Sequence, residues 1–215
     1  MRSKLRWMTA TALSAALLAG CSALRGPVNP MFRLGPREIE RATLLGKTYA
    51  GDPNTAYAHG NLHANQLVNT AVYLETVQFC LPREELAYQV AKVANQGDAA
   101  VQRATNETLR VVSTYVKVVI HASVAKGKDP NSFQYQLKTD EGFTYYPDRT
   151  PSVSQIAGQG GPYGGGDRYE ITALFPVLGH RNTPPIGPRV NSFVFTLLDG
   201  SDRAEVKFDL PIVGG

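Results

Sequence analysis

Cysteine is scarce in this chain of 215 residues: there are two, Cys21 and Cys80. That excludes a disulfide-rich scaffold. After the first six residues there is no Lys/Arg cluster and no basic stripe interleaved with aromatics, so no nucleic acid partner is expected. Gly-x-Ser-x-Gly is missing, and so is an activated-cysteine pattern, which removes the usual signatures of a serine or cysteine hydrolase. The Gly-rich stretch 158–166 lacks the Gly-Lys-Ser/Thr of a phosphate-binding loop. The long apolar run, Met8 to Ala19, is broken by Thr9, Thr11 and Ser14 and falls short of the roughly 20 residues that span a bilayer.

What the amino terminus does carry is a secretory signal: Arg2, Lys4 and Arg6, then that short apolar run, then small residues. It ends in Leu18-Ala19-Gly20-Cys21, which resembles a bacterial lipobox. The resemblance implies cleavage before Cys21, diacylation of its thiol and acylation of the new amino terminus, so membrane lipid is the first expected partner. Two or more acyl chains anchor firmly where one does not. Ser22 follows the cysteine, which in lipoproteins of two-membrane bacteria resembles an outer-membrane address, facing the periplasm. Processing also changes the charge balance. Of 22 Lys+Arg against 18 Asp+Glu, three cations leave with residues 1–20, so the mature chain of 195 residues carries 19 against 18. With Cys21 acylated, Cys80 has no intrachain partner for a disulfide and reads as a small core residue.

Residues 21–35 read as a tether, punctuated by Gly26, Pro27, Pro30 and Gly35. Residues 36–107 read as mainly helical. Pro36 opens a helix with Glu38 and Glu40 early and Ile39, Ala42, Leu45 and Tyr49 at helical spacing; Gly51-Asp52-Pro53 stops it. Residues 52 to 66 are polar and turn-rich. From Gln66 to Leu81 the period becomes two, with Ala71, Tyr73, Glu75, Val77 and Phe79 on one face and Val72, Leu74, Thr76 and Cys80 on the other. Pro82 opens a second helix with Glu84 and Glu85 at its amino end, favourable to the helix dipole, and Gly97 closes it.

Residues 108–215 read as β-rich. Thr108 to Val124 alternates, with Val112, Thr114, Val116, Val118, Ile120, Ala122 and Val124 inward and Lys117, His121 and Ser123 outward. Further strands are predicted at 132–139, 142–146, 168–175, 190–198 and 203–210, with turns between them. The pattern is similar to immunoglobulin-like domains of bacterial lipoproteins. The expected fold class is therefore α+β: an amino-terminal helix–strand–helix region packed on a carboxy-terminal antiparallel immunoglobulin-like β-sandwich.

No complete catalytic or metal-binding set emerges, and no cofactor is expected. His59 and His63 stand four apart but lack a glutamate and a third ligand; His121 reads as a surface residue, and His180 sits in a Pro-rich loop. Asp199 and Asp202 fall short of a calcium site. The Gly-rich loop 158–166 leads into a strand rather than a helix, so it reads as a flexible segment. Together with the Pro-rich loop 180–189 it is the expected contact for an envelope protein partner. The expectation is a membrane-anchored, non-catalytic binding or scaffolding domain. The alternatives are a subunit of a larger envelope or secretion assembly and, behind it, a metal-dependent hydrolase using His59, His63, His121 or His180.

Overall fold

The computed structural model describes residues 27–58, 62–68, 72–160, 166–180, 183–200 and 202–210. Among the described residues four α-helices, α1 (Pro36–Thr48), α2 (Pro53–Ala58), α3 (Pro82–Val93) and α4 (Asp98–Val112), accompany nine strands. The strands are β1 (Leu62–Val68), β2 (Val72–Cys80), β3 (Tyr115–Val124), β4 (Gln134–Thr139), β5 (Thr144–Tyr145), β6 (Ser152–Gly160), β7 (Gly166–Pro176), β8 (Ser192–Asp199) and β9 (Asp202–Asp209). The fold is thus a mixture of helix and sheet, with every strand pair antiparallel. None of the described helices is long and apolar enough to cross a membrane.

Proline starts α1, α2 and α3, where its fixed φ suits a helix and its missing N–H costs nothing. The helices meet through small side chains. Ala42, Leu86, Val90 and Val101 join α1, α3 and α4, while Ala56, Ala87 and Ala91 join α2 and α3. At Gly46 the backbones of α1 and α3 come so close that an added Cβ would stand 2.5 Å from the Ala87 carbonyl and 2.6 Å from Val90 Cβ. No larger residue fits without moving a helix.

The strands form a five-stranded sheet, order β1-β2-β3-β7-β6, and a four-stranded sheet, order β5-β4-β8-β9. One hydrophobic core fills the space between them. Phe79 of β2 stacks on Phe193 of β8 at 4.9 Å, and Phe32 meets both edge-on at 6.2 and 6.0 Å. Within the stretch expected as a tether, Val28, Asn29 and Phe32 are buried. The Asn29 amide donates to the Ile186 carbonyl at 2.8 Å, and its side-chain Nδ2 donates to the Val190 carbonyl at 3.0 Å. The chain therefore joins the folded body by Val28. β1 and β2, from the region expected to be mainly helical, pair with each other and, through β2, with β3.

Three local expectations give way. The alternation predicted from Thr108 begins at Tyr115, because α4 runs to Val112 with Val101, Thr105, Thr108 and Val112 on its buried face. Val112 satisfies both periods, so apolar spacing alone does not separate helix from strand there. β1 begins within the stretch 52–66 read as turn-rich, and β6 stands where no strand is expected and runs into the Gly-rich loop; both are edge strands, rich in polar residues. Finally, the two faces assigned to β2 change over midway. Leu74 pairs with Ala122 but Thr76 pairs with His121, leaving Glu75 as an extra residue. That bulge puts Val72, Leu74, Val77 and Phe79 together in the core and both Glu75 and Thr76 on the outer surface.

Candidate functional site

The bulge concentrates polar chemistry on the outer face of the five-stranded sheet. Arg168 of β7 grips the Glu75 carboxylate through Nε, 2.8 Å from Oε1, and through its terminal nitrogen, while the Ser123 hydroxyl donates to Oε1 at 2.6 Å. Arg168 holds the Glu75 carboxyl below its ordinary value of 4.5, against the opposing effect of burial. One position along, Thr76 Oγ1 lies 2.9 Å from His121 Nδ1, and His121 Nε2 lies 3.2 Å from Glu170 Oε2. A neutral imidazole satisfies both contacts when Nδ1 accepts the threonine proton and Nε2–H donates to the glutamate.

Helix α3 packs on the same face beside this cluster. Glu84 and Glu85, 3% and 6% exposed, are buried at the start of α3. Arg83 pairs with Glu84 at 2.9 Å; Lys117 Nζ donates to both Glu85 oxygens at 2.9 and 3.0 Å, with Gln89 bonding Oε1 as well. Burial pulls the Lys117 ammonium downward, but the facing Glu85 carboxylate, together with Cys80 and Tyr88, leaves the net shift upward. The two glutamates therefore do more than complement the helix dipole: Glu85 ties α3 to β3. Cys80 is buried in the same layer with Val119 and Tyr88. Between helices and sheet remains a polar groove of about 180 Å³, whose walls include Asn54, Gln78, Lys117, His121, Glu170 and Thr172.

A larger cleft of about 420 Å³ opens where the loop after β7 passes the end of β5. Its walls are Thr144, Tyr146, Pro147, Asp148, Pro176, His180 and Thr183. Tyr146 is 59% exposed. The volume lies within the range of about 300–1,000 Å³ usual for small-ligand sites. The loop forming one wall is held at its far side. Tyr145 Oη donates to the Pro184 carbonyl at 3.0 Å, the Ile186 amide donates to the Val177 carbonyl at 2.8 Å, and Ile186 is fully buried. Burial, aided by the Glu141 charge, pushes the Tyr145 phenol up to about 12, so it keeps its proton at neutral pH.

The four histidines fare differently. His121 and His180 belong to the outer face and the cleft respectively, so they do not share a site. His63 lies in β1 opposite Gln78; its side chain, like all of His59, lies outside the described residues. Among the described residues no group of three or more His, Cys, Asp and Glu side chains is placed to hold a metal. Asp199 is engaged by Lys128 at 2.9 Å. Of the Gly-rich loop, 158–160 belong to β6 and Gly166 begins β7, while 161–165 lie outside the described residues. Cys21 also lies outside them. Sequence reasoning singled out His121 and His180 but missed Glu75, Thr76, Arg168, Glu170 and Tyr146. Polar alternation in β7 was the available signal for Arg168 and Glu170; none marked the bulge. Comparison with protein-family models, curated proteins and solved structures finds no match.

Proposed function

We propose that this chain is a lipid-anchored envelope protein whose folded part is a non-catalytic binding domain. The observation that carries the reading is Leu18-Ala19-Gly20-Cys21 after a basic and apolar leader. Acylated Cys21 holds the protein in the bilayer, at the periplasmic face of an outer membrane in a two-membrane cell. The packed sheets agree with an immunoglobulin-like sandwich as the finer fold. The cleft at Tyr146 and His180 supports a binding role, since it combines an exposed aromatic and two prolines with the polar side chains of Thr144, Asp148, His180 and Thr183. It also takes in the start of the loop 180–189, which favours docking to an envelope assembly as the second reading.

A hydroxyl, an imidazole and a carboxylate in sequence, as at Thr76, His121 and Glu170, are the groups of an acyl-transfer triad. Thr76 lies on an inner strand, flanked by β1 and β3. The three side chains stand on three neighbouring strands of one sheet, and their hydrogen bonds run from strand to strand. The trio reads as a surface lock between β2, β3 and β7. The anchoring claim is tested with Cys21→Ala: the unmodified protein enters the detergent phase on phase separation, and the variant moves to the aqueous phase. Equal partition of both contradicts the anchor.

A further inference from the structure

We infer that β6 is a self-pairing edge, through which two copies of this chain join their five-stranded sheets. The two sheets end in four edge strands, β1, β6, β5 and β9. Three are guarded in the ways that keep sheets from pairing with strangers. β5 is two residues long. β9 carries Asp202, Arg203, Glu205, Lys207 and Asp209, with ion pairs Arg203–Glu205 and Lys207–Asp209 along it. β1 lies beside β9 of the other sheet.

β6 has none of this protection along its regular part. Its nine residues, Ser-Val-Ser-Gln-Ile-Ala-Gly-Gln-Gly, contain neither a charge nor a proline. From Ser152 to Ile156 it pairs in unbroken register with β7, and the register shifts only after Ile156. Ser152, Ser154, Gln155 and Ala157 are exposed, while Val153 packs against the core and keeps the strand in place. Its far edge therefore offers a row of backbone donors and acceptors that no other described strand takes.

A second copy is the occupant this strand suits. Antiparallel pairing about a two-fold axis sets β6 against itself, and an uncharged strand meets no like charge when it does so. Serine and glutamine side chains facing each other across the axis hydrogen-bond. The pairing closes after two chains, since each contributes the one unguarded edge among its described strands. The product is a continuous sheet of ten strands, five from each chain. The interaction does not depend on the lipid anchor.

The test uses the full chain in mild detergent, with Ser152→Cys, Ser154→Cys, Gln155→Cys and Ala157→Cys made singly. Self-pairing predicts a disulfide-linked dimer that forms most readily at the position nearest the two-fold axis and falls off on either side. It also predicts that Ser154→Lys and Ser154→Glu, each unchanged in circular dichroism, raise the dimer dissociation constant about tenfold or more. Mixing the two variants should restore association. A single-chain mass at about 100 μM, where weak dimers still register, overturns the inference. So does cross-linking to a different protein only, or equal cross-linking at all four positions. If a charged variant fails to fold, the cysteine series decides alone. Loss of acylation with dimerisation intact sinks the anchor and spares this inference.

Discussion

Glu75 reaches Arg168 and Ser123 because β2 holds one residue more than its partners at that point. The folded carboxyl titrates below 4.5, chiefly through the Arg168 hydrogen bonds. A depressed carboxyl pKa contributes stability above the unfolded value, and the contribution fades as pH falls through the folded one. Urea unfolding of Glu75→Gln should show a loss of roughly 1–3 kcal/mol at neutral pH. The gap from the unaltered protein should narrow on acidification below pH 4.5. A gap that stays constant with pH contradicts the assignment. The buried Lys117–Glu85 pair gives a second prediction. Lys117→Met strands the Glu85 charge and should cost roughly 3–5 kcal/mol. Adding Glu85→Met should recover most of that loss, because paired apolar replacements of similar volume are close to neutral. Denaturation midpoints of the single and double variants check it; a double variant as weak as the single contradicts it.

Gly46 shows how an element is seated. Alanine is a better helix former than glycine by about 1 kcal/mol, so on an exposed helix Gly46→Ala would stabilise. Here the new methyl meets the Ala87 carbonyl at 2.5 Å, and overpacking costs typically about 1–3 kcal/mol. The clash is against backbone, so it dominates, and the variant should melt lower than the parent in a thermal scan. A higher melting temperature would show that α1 and α3 are not in this contact. Elements were legible in the sequence where two signals agreed. α1 and α3 each combine a proline start, early acids and helical spacing; β3 combines alternation with the turn after Val124, and β8 an apolar run with the turn at Asp199-Gly200. Where one signal stood alone, it misled. Thr105, Thr108 and Val112 fit a helix face, yet Val112 also continues the alternation of β3. β1 and β6 have side chains that alternation does not sort, because an edge strand needs less burial. The bulge at Glu75 was illegible for a different reason: a one-residue insertion reverses every later face without altering composition. The polar lock of Thr76, His121 and Glu170 was hidden with it, since plain alternation sets Thr76 on the face of Val72 and Leu74.

At the scale of the molecule, one core under two sheets carries a helical layer on one side and, at its end, a cleft framed by the loop after β7. The amino-terminal segment is part of that body from Val28 onward, with Phe32 closing the aromatic cluster. Six residues separate Cys21 from Val28, so an acylated Cys21 would hold the domain close to the membrane surface. The most direct measurement is the intact mass of the protein extracted from its native membrane. The account predicts residues 21–215 plus acyl groups on Cys21. A chain that retains residues 1–20, begins elsewhere, or carries no acyl mass would contradict it.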